Sequence, residues 1–210
     1  MTAADEHGVK PLVAPVAVNG EAALAPIWDE WGRLTRFLES ARLAFARERS
    51  LWASLELRSA EDIKLSAASA HGTYRVALNQ HLAAVSDEET LLASVLIHSY
   101  ALAESAAVRR LGGDARDYGG IEDWGTRLLA TTDTTWDALG DGIAGAVEVS
   151  VVRNAYAHGG RRIDQAAVRR LHAVGRTRPR VGDPVILDYA MLRVFRGRLR
   201  ALLGLGAVGG

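Results

Sequence analysis

Proline occurs only at positions 11, 15, 26, 179 and 184, so residues 27 to 178 run without the residue whose ring and missing N–H break a helix interior. Within that stretch apolar side chains recur at steps of three and four. Ile27, Trp31, Leu34, Leu38, Ala41 and Phe45 fall on one stripe of an amphipathic helix over 27–57. A second helix is predicted over 61–85. Ser86, with Glu89 three residues on, reads as a capping box that opens a third helix, which Arg109, Arg110 and Gly112-Gly113 close. Further helices are predicted over 121–132, 139–157, 164–174 and 188–203, parted by the glycine-rich stretch 112–120 and the basic loop 176–180. No alternation of strands and helices and no solenoid period is visible. The fold class expected is all-α, a helical bundle of five to seven helices. A flexible N-terminal arm over 1–25 precedes a helical domain over 26–175, and a basic loop and C-terminal helix over 176–210 pack on that domain.

The longest uncharged run, residues 90 to 103, is 14 residues long, too short to cross a bilayer, and reads as a buried core helix. His98 inside it is expected to be a hydrogen-bonded core residue, and no membrane partner is expected. The chain has no cysteine, which excludes a disulfide framework, a thiolate nucleophile and a zinc–thiolate centre and fits a reducing compartment. Asp5 and Glu6 stand where a secretion signal carries positive charge, so a cytoplasmic location is expected. The six histidines lack metal-ligand spacing, and no phosphate-binding loop, HExxH pair or GxSxG elbow is present. The GxGxxG letters over 204–209 follow a helix instead of a strand, so no dinucleotide site is expected there, and no cofactor or metal at all. The five tryptophans sit at helix spacings or helix starts and read as core or interface residues.

The zero net charge hides a division. Residues 1–152 carry 13 basic and 22 acidic side chains, whereas residues 153–210 carry 12 basic and 3 acidic ones. Lys10 and Lys64 are the only lysines, so the excess is arginine, whose planar forks match phosphate oxygens two at a time. Two readings follow: a polyanion partner, or acidic and basic parts that pack together and neutralise. Arg193, Arg196 and Arg200 recur at steps of three and four and fit either an RNA backbone or a solvated helix face.

Val147, Val151, Asn154 and His158 are spaced four, three and four, so an apolar helix stripe ends in two polar groups. Arg153 stands beside that stripe, roughly 140° around an ideal helix from His158. The two converge only if the helix unwinds near Ala157, which Gly159-Gly160 favour. Helix-end physics also selects cations and glycine at a C-terminus, but capping has no use for Asn154, a poor helix-interior residue.

Arg153-Asn154-Ala155-Tyr156-Ala157-His158 resembles the Rx4-6H motif of HEPN domains, small all-helical dimers of which many are metal-independent endoribonucleases. The resemblance extends to the apolar helix over 91–106 with its embedded Glu104, to Ile121-Glu122-Asp123-Trp124-Gly125, and to Arg162-Ile163-Asp164, and covers about residues 27 to 175. It implies a homodimer that cleaves RNA without cofactor or metal, a toxin or antiviral effector with an antitoxin or regulatory protein as partner. Arg153, Asn154 and His158 are the catalytic candidates. Glu104 and Tyr156 stand in support, and Arg161, Arg162, Arg176, Arg178 and Arg180 are the candidates for holding RNA. In HEPN toxins that partner a minimal nucleotidyltransferase a tyrosine stands two places after the histidine; here that place is Gly160. The chemistry suits the residues: an imidazole moves the 2′-hydroxyl proton, and a guanidinium grips the phosphate as it gains charge. One imidazole cannot easily serve both sides of a phosphate, so two copies of the motif would share a cleft. The alternative is a non-catalytic HEPN-like module that dimerises or binds a nucleotide or protein partner.

Overall fold

A computed structural model describes residues 20–55, 62–158 and 160–205. In chain order these form α1 (Gly20–Ala53), β1 (Lys64–Ser69), β2 (Gly72–Ala77), α2 (Leu78–Ser86), α3 (Glu88–Leu111), α4 (Ile121–Ala130), α5 (Gly142–Ala157), α6 (Gln165–Ala173) and α7 (Tyr189–Leu205), with single 3-10 turns at Ala115–Asp117 and Trp136–Ala138. Among the described residues seven helices and one small hairpin beside α2 make this an all-α bundle.

The uncharged run lies on α3, and α1, α4, α5 and α7 all pack against it. Val95, Leu96 and Ala103 on its inner side are fully buried, beside Trp124 and Leu128 of α4 and Leu192, Leu199 and Leu202 of α7. Ser94, His98 and Ala101 form an outward face, so His98 is exposed and not the core residue expected: among the described residues no helix covers that side of α3. By length and composition alone α3 is apolar enough to cross a membrane, and 56% of its most apolar window is buried inside the protein. Core and bilayer select the same side chains, so the packing is what accounts for them here.

Two helix starts differ from expectation. Asp87, not Ser86, caps α3: its carboxylate accepts from the Thr90 N–H at 3.1 Å and the Thr90 hydroxyl at 2.6 Å, while Ser86 still belongs to α2. The arm expected over 1–25 lies outside the described residues up to 19 and is helical from Gly20. α1 runs through Pro26, with Leu24 and Ile27 buried on either side of it. Other ends follow the sequence. Gly112 closes α3 at φ 74°, and Asp164 caps α6, accepting from the Ala167 N–H at 2.7 Å.

The helix expected over 61–85 is replaced by a hairpin and a shorter helix. β1 and β2 pair antiparallel, Lys64 opposite Ala77 and Ser69 opposite Gly72, and α2 begins only at Leu78; residues 56–61 lie outside the description. Thr73, Tyr74 and Val76 prefer extended backbone, and Gly72 at φ 131° adopts a turn conformation closed to side-chain-bearing residues.

One glycine is demanded by packing. A Cβ at Gly125 would stand 2.6 Å from Cη2 and 2.8 Å from Cζ2 of Trp136, whose indole N–H is itself held by the Thr126 hydroxyl at 2.8 Å. Gly125→Ala is therefore expected to lower the unfolding free energy by about 1–3 kcal/mol, measured by chemical denaturation. An unchanged denaturation midpoint would contradict this contact.

Candidate functional site

α5 is embedded on two sides. Val149 is buried in the main core with α3, while Val147 and Val151 pack with Ile163, Val168, Leu171 and Val185 in a second cluster towards α6. The stripe identified in the sequence thus begins in the core and leaves it: Asn154 is half-buried and His158 exposed.

Arg153 lies against α3. Its guanidinium carbon is 4.9 Å from the centre of the Tyr100 ring, and its Nη1 donates to Asn154 Oδ1 at 2.8 Å. Its Nε is buried without an acceptor. Glu104, one turn beyond Tyr100, is half-buried and forms no ion pair with Arg153 among the described residues. α5 stays helical to Ala157, and His158 takes the cap position at φ −99°, ψ 7°, its N–H on the Asn154 carbonyl at 3.0 Å. The unwinding that would bring imidazole and guanidinium together does not occur before His158. Among the described residues the imidazole has no hydrogen bond or ion pair, so none joins it to Arg153.

The chain leaving α5 is fastened to the start of α3. Arg161, at φ 45°, sends its N–H back to the Ala155 carbonyl at 3.0 Å. Its Nη1 lies 3.2 Å from Glu89 Oε2, and its Nη2 donates to the Thr90 hydroxyl at 2.8 Å. The Tyr156 hydroxyl donates to Glu89 Oε1 and sits 3.0 Å from the Val185 carbonyl. Tyr156, Glu89 and Arg161 together place the turn that presents His158. Sequence reasoning had assigned Glu89 to a capping box and missed this junction, because nothing local to Glu89 signals a partner 67 residues away.

The arginines expected to hold RNA divide. Arg161 is committed to Glu89, Arg176 pairs with Glu148 at 2.5 Å, and Arg162 donates to the Gly182 carbonyl at 2.7 Å. Arg178 and Arg180 are exposed in the loop before α7, without a carboxylate partner for their side chains among the described residues. A groove of about 1050 Å³ runs beside α5, floored by Val151, Val152 and Ile163 and edged by Arg176 and Arg178; neither Arg153 nor His158 lines it.

Burial and the Glu89 carboxylate hold the Tyr156 phenol above its ordinary value of 10. The neutral phenol is thus favoured in the folded chain, so its contribution is complete below about pH 10 and is lost as pH rises towards the folded value. Tyr156→Phe is expected to cost about 1–2 kcal/mol at neutral pH and to flatten the alkaline fall in stability relative to the parent chain, followed by denaturation from pH 7 to 11. Identical profiles would remove Tyr156 from the junction.

Comparison with protein-family models, with curated proteins and with solved structures gives no match to this chain.

Proposed function

We propose that the chain is a HEPN-type endoribonuclease that cuts RNA without a metal, working as a homodimer in which the ends of two α5 helices share one cleft. The observation that carries this reading is the end of α5. It presents an exposed, uncommitted imidazole one turn beyond a hydrogen-bonded Arg153–Asn154 pair. His158 takes or gives the proton, Arg153 stabilises the charge growing on the phosphate, and Asn154 orients one of them. One imidazole cannot easily serve both sides of a phosphate, so the second copy supplies the imidazole for the opposite side. DNA, lacking the attacking 2′-hydroxyl, is not a substrate. In the cell such a nuclease would act as a toxin or antiviral effector under an antitoxin or regulatory partner.

A second reading has its own observation. The Arg153 guanidinium rests on Tyr100 and Asn154 as an internal structural group would, which suits a non-catalytic HEPN-like module that dimerises or binds a nucleotide or protein partner.

Incubation of the purified protein with single-stranded RNA in EDTA is expected to yield 2′,3′-cyclic phosphate and 5′-hydroxyl ends. His158→Ala, at an exposed position, is expected to fold normally and to lose about 10²–10⁴ of the rate. Intact RNA, or equal cleavage by His158→Ala, would reject the nuclease and leave the module.

A further inference from the structure

α7 turns Arg193, Arg196 and Arg200 to one side, where they line a cavity of about 240 Å³ against α1, together with Trp31, Thr35 and Tyr189. Arg196 is only 9% exposed. Its guanidinium carbon lies 4.8 Å from the centre of the Trp31 ring, and its Nη2 donates to the Trp31 carbonyl at 3.1 Å and to the Thr35 hydroxyl at 3.0 Å. Its buried Nε finds no acceptor among the described residues. No carboxylate forms an ion pair with it among the described residues. Glu39 is the one acid lining the cavity, and it is already engaged: it accepts from the Tyr189 hydroxyl and lies 3.4 Å from Nη1 of Arg42. Burial lowers the Arg196 pKa, and the nearby Glu39 carboxylate offsets only part of that cost.

A buried guanidinium without a carboxylate in direct contact is costly, and two further guanidinia lining the same cavity make the cost larger. An anion entering the cavity relieves both. Three planar guanidinium forks suit a tetrahedral, multiply charged oxyanion better than a planar carboxylate. The volume is below the roughly 300–1,000 Å³ of pockets that engulf a whole small molecule, so a single charged group enters while the rest of its bearer stays outside. Arg200, whose guanidinium lies 5.3 Å from the centre of the Trp28 ring, borders the way out.

We propose that the cavity between α1 and α7 is a phosphate-binding site, with Arg196 as its buried anchor and Arg193 and Arg200 as its outer clamps, and that it is separate from the α5 end. The phosphate comes either from a nucleic-acid backbone or from a small phosphorylated ligand, and the recognition chemistry is the same.

The test is thermal unfolding of the full chain in inorganic phosphate against sodium chloride of equal ionic strength. Saturating phosphate is expected to raise Tm by about 4 °C or more above the chloride control. Arg193→Gln with Arg200→Gln, both at exposed positions, is expected to lose most of that rise. Arg196→Met is expected to have the higher Tm without phosphate, because it removes an uncompensated charge while the Trp31 carbonyl keeps the Thr35 hydroxyl at 2.9 Å, and to show no response to phosphate. A purely structural arginine would give the opposite: a lower Tm and no phosphate effect in either protein. No excess shift over chloride, or a full shift in the variants, overturns the proposal. Binding of a short single-stranded RNA then identifies the source. Weaker binding by the double variant assigns the site to a strand backbone, and unchanged RNA binding beside a lost phosphate response assigns it to a small phosphorylated ligand.

Discussion

The burial of α3 is the constraint on which the molecule depends. Fourteen consecutive residues without a charge cannot be left in water along a whole helix, and four helices gather to cover most of its circumference. Once α5 lies along α3, the direction of each α5 side chain is settled. Val149 faces the core, Arg153 meets the ring of Tyr100, and Asn154 and His158 emerge at the free end. The candidate site is therefore a product of core packing as much as of its own residues.

Electrostatics then sets two groups of arginines apart from the rest. Those of the basic last quarter that reach acids from the rest of the chain are neutralised: Arg161 by Glu89, Arg170 by Glu122, Arg176 by Glu148, and Arg198 by Asp141 and Glu148. Packing of acidic against basic parts consumes these four, whereas Arg153 and Arg196 sit on aromatic rings with a buried, unsatisfied Nε each. Aromatic faces hold a guanidinium in place without cancelling its charge, which leaves it available to an anion.

Much of the helical scaffold was legible because helix signals are local. The three-and-four spacing around Trp31 and Leu38, the Asp164 cap and the Gly112 terminator each act within one or two turns. The failures have a common cause in competition with more distant groups. The hairpin over 64–77 consists of two six-residue strands whose small residues show little alternation, so its preference emerges only from the pairing of one strand with the other. Glu89 satisfied a local capping pattern, yet a tyrosine hydroxyl at the end of α5 and a guanidinium from the chain that follows it outbid the backbone N–H for its oxygens.

By itself the sequence determined a predominantly helical bundle, a core helix at 90–103 and a cluster of Arg153, Asn154 and His158 at a helix end, since all three follow from periodicity and near-neighbour chemistry. Tertiary structure alone decided which arginines are spent in ion pairs, that His98 faces outward, and that Arg153 lies on Tyr100 while His158 is exposed at the end of α5. Those outcomes depend on the rotation of helices about their axes against one another, and that is set by the collective fit of many side chains, which no short stretch of sequence encodes.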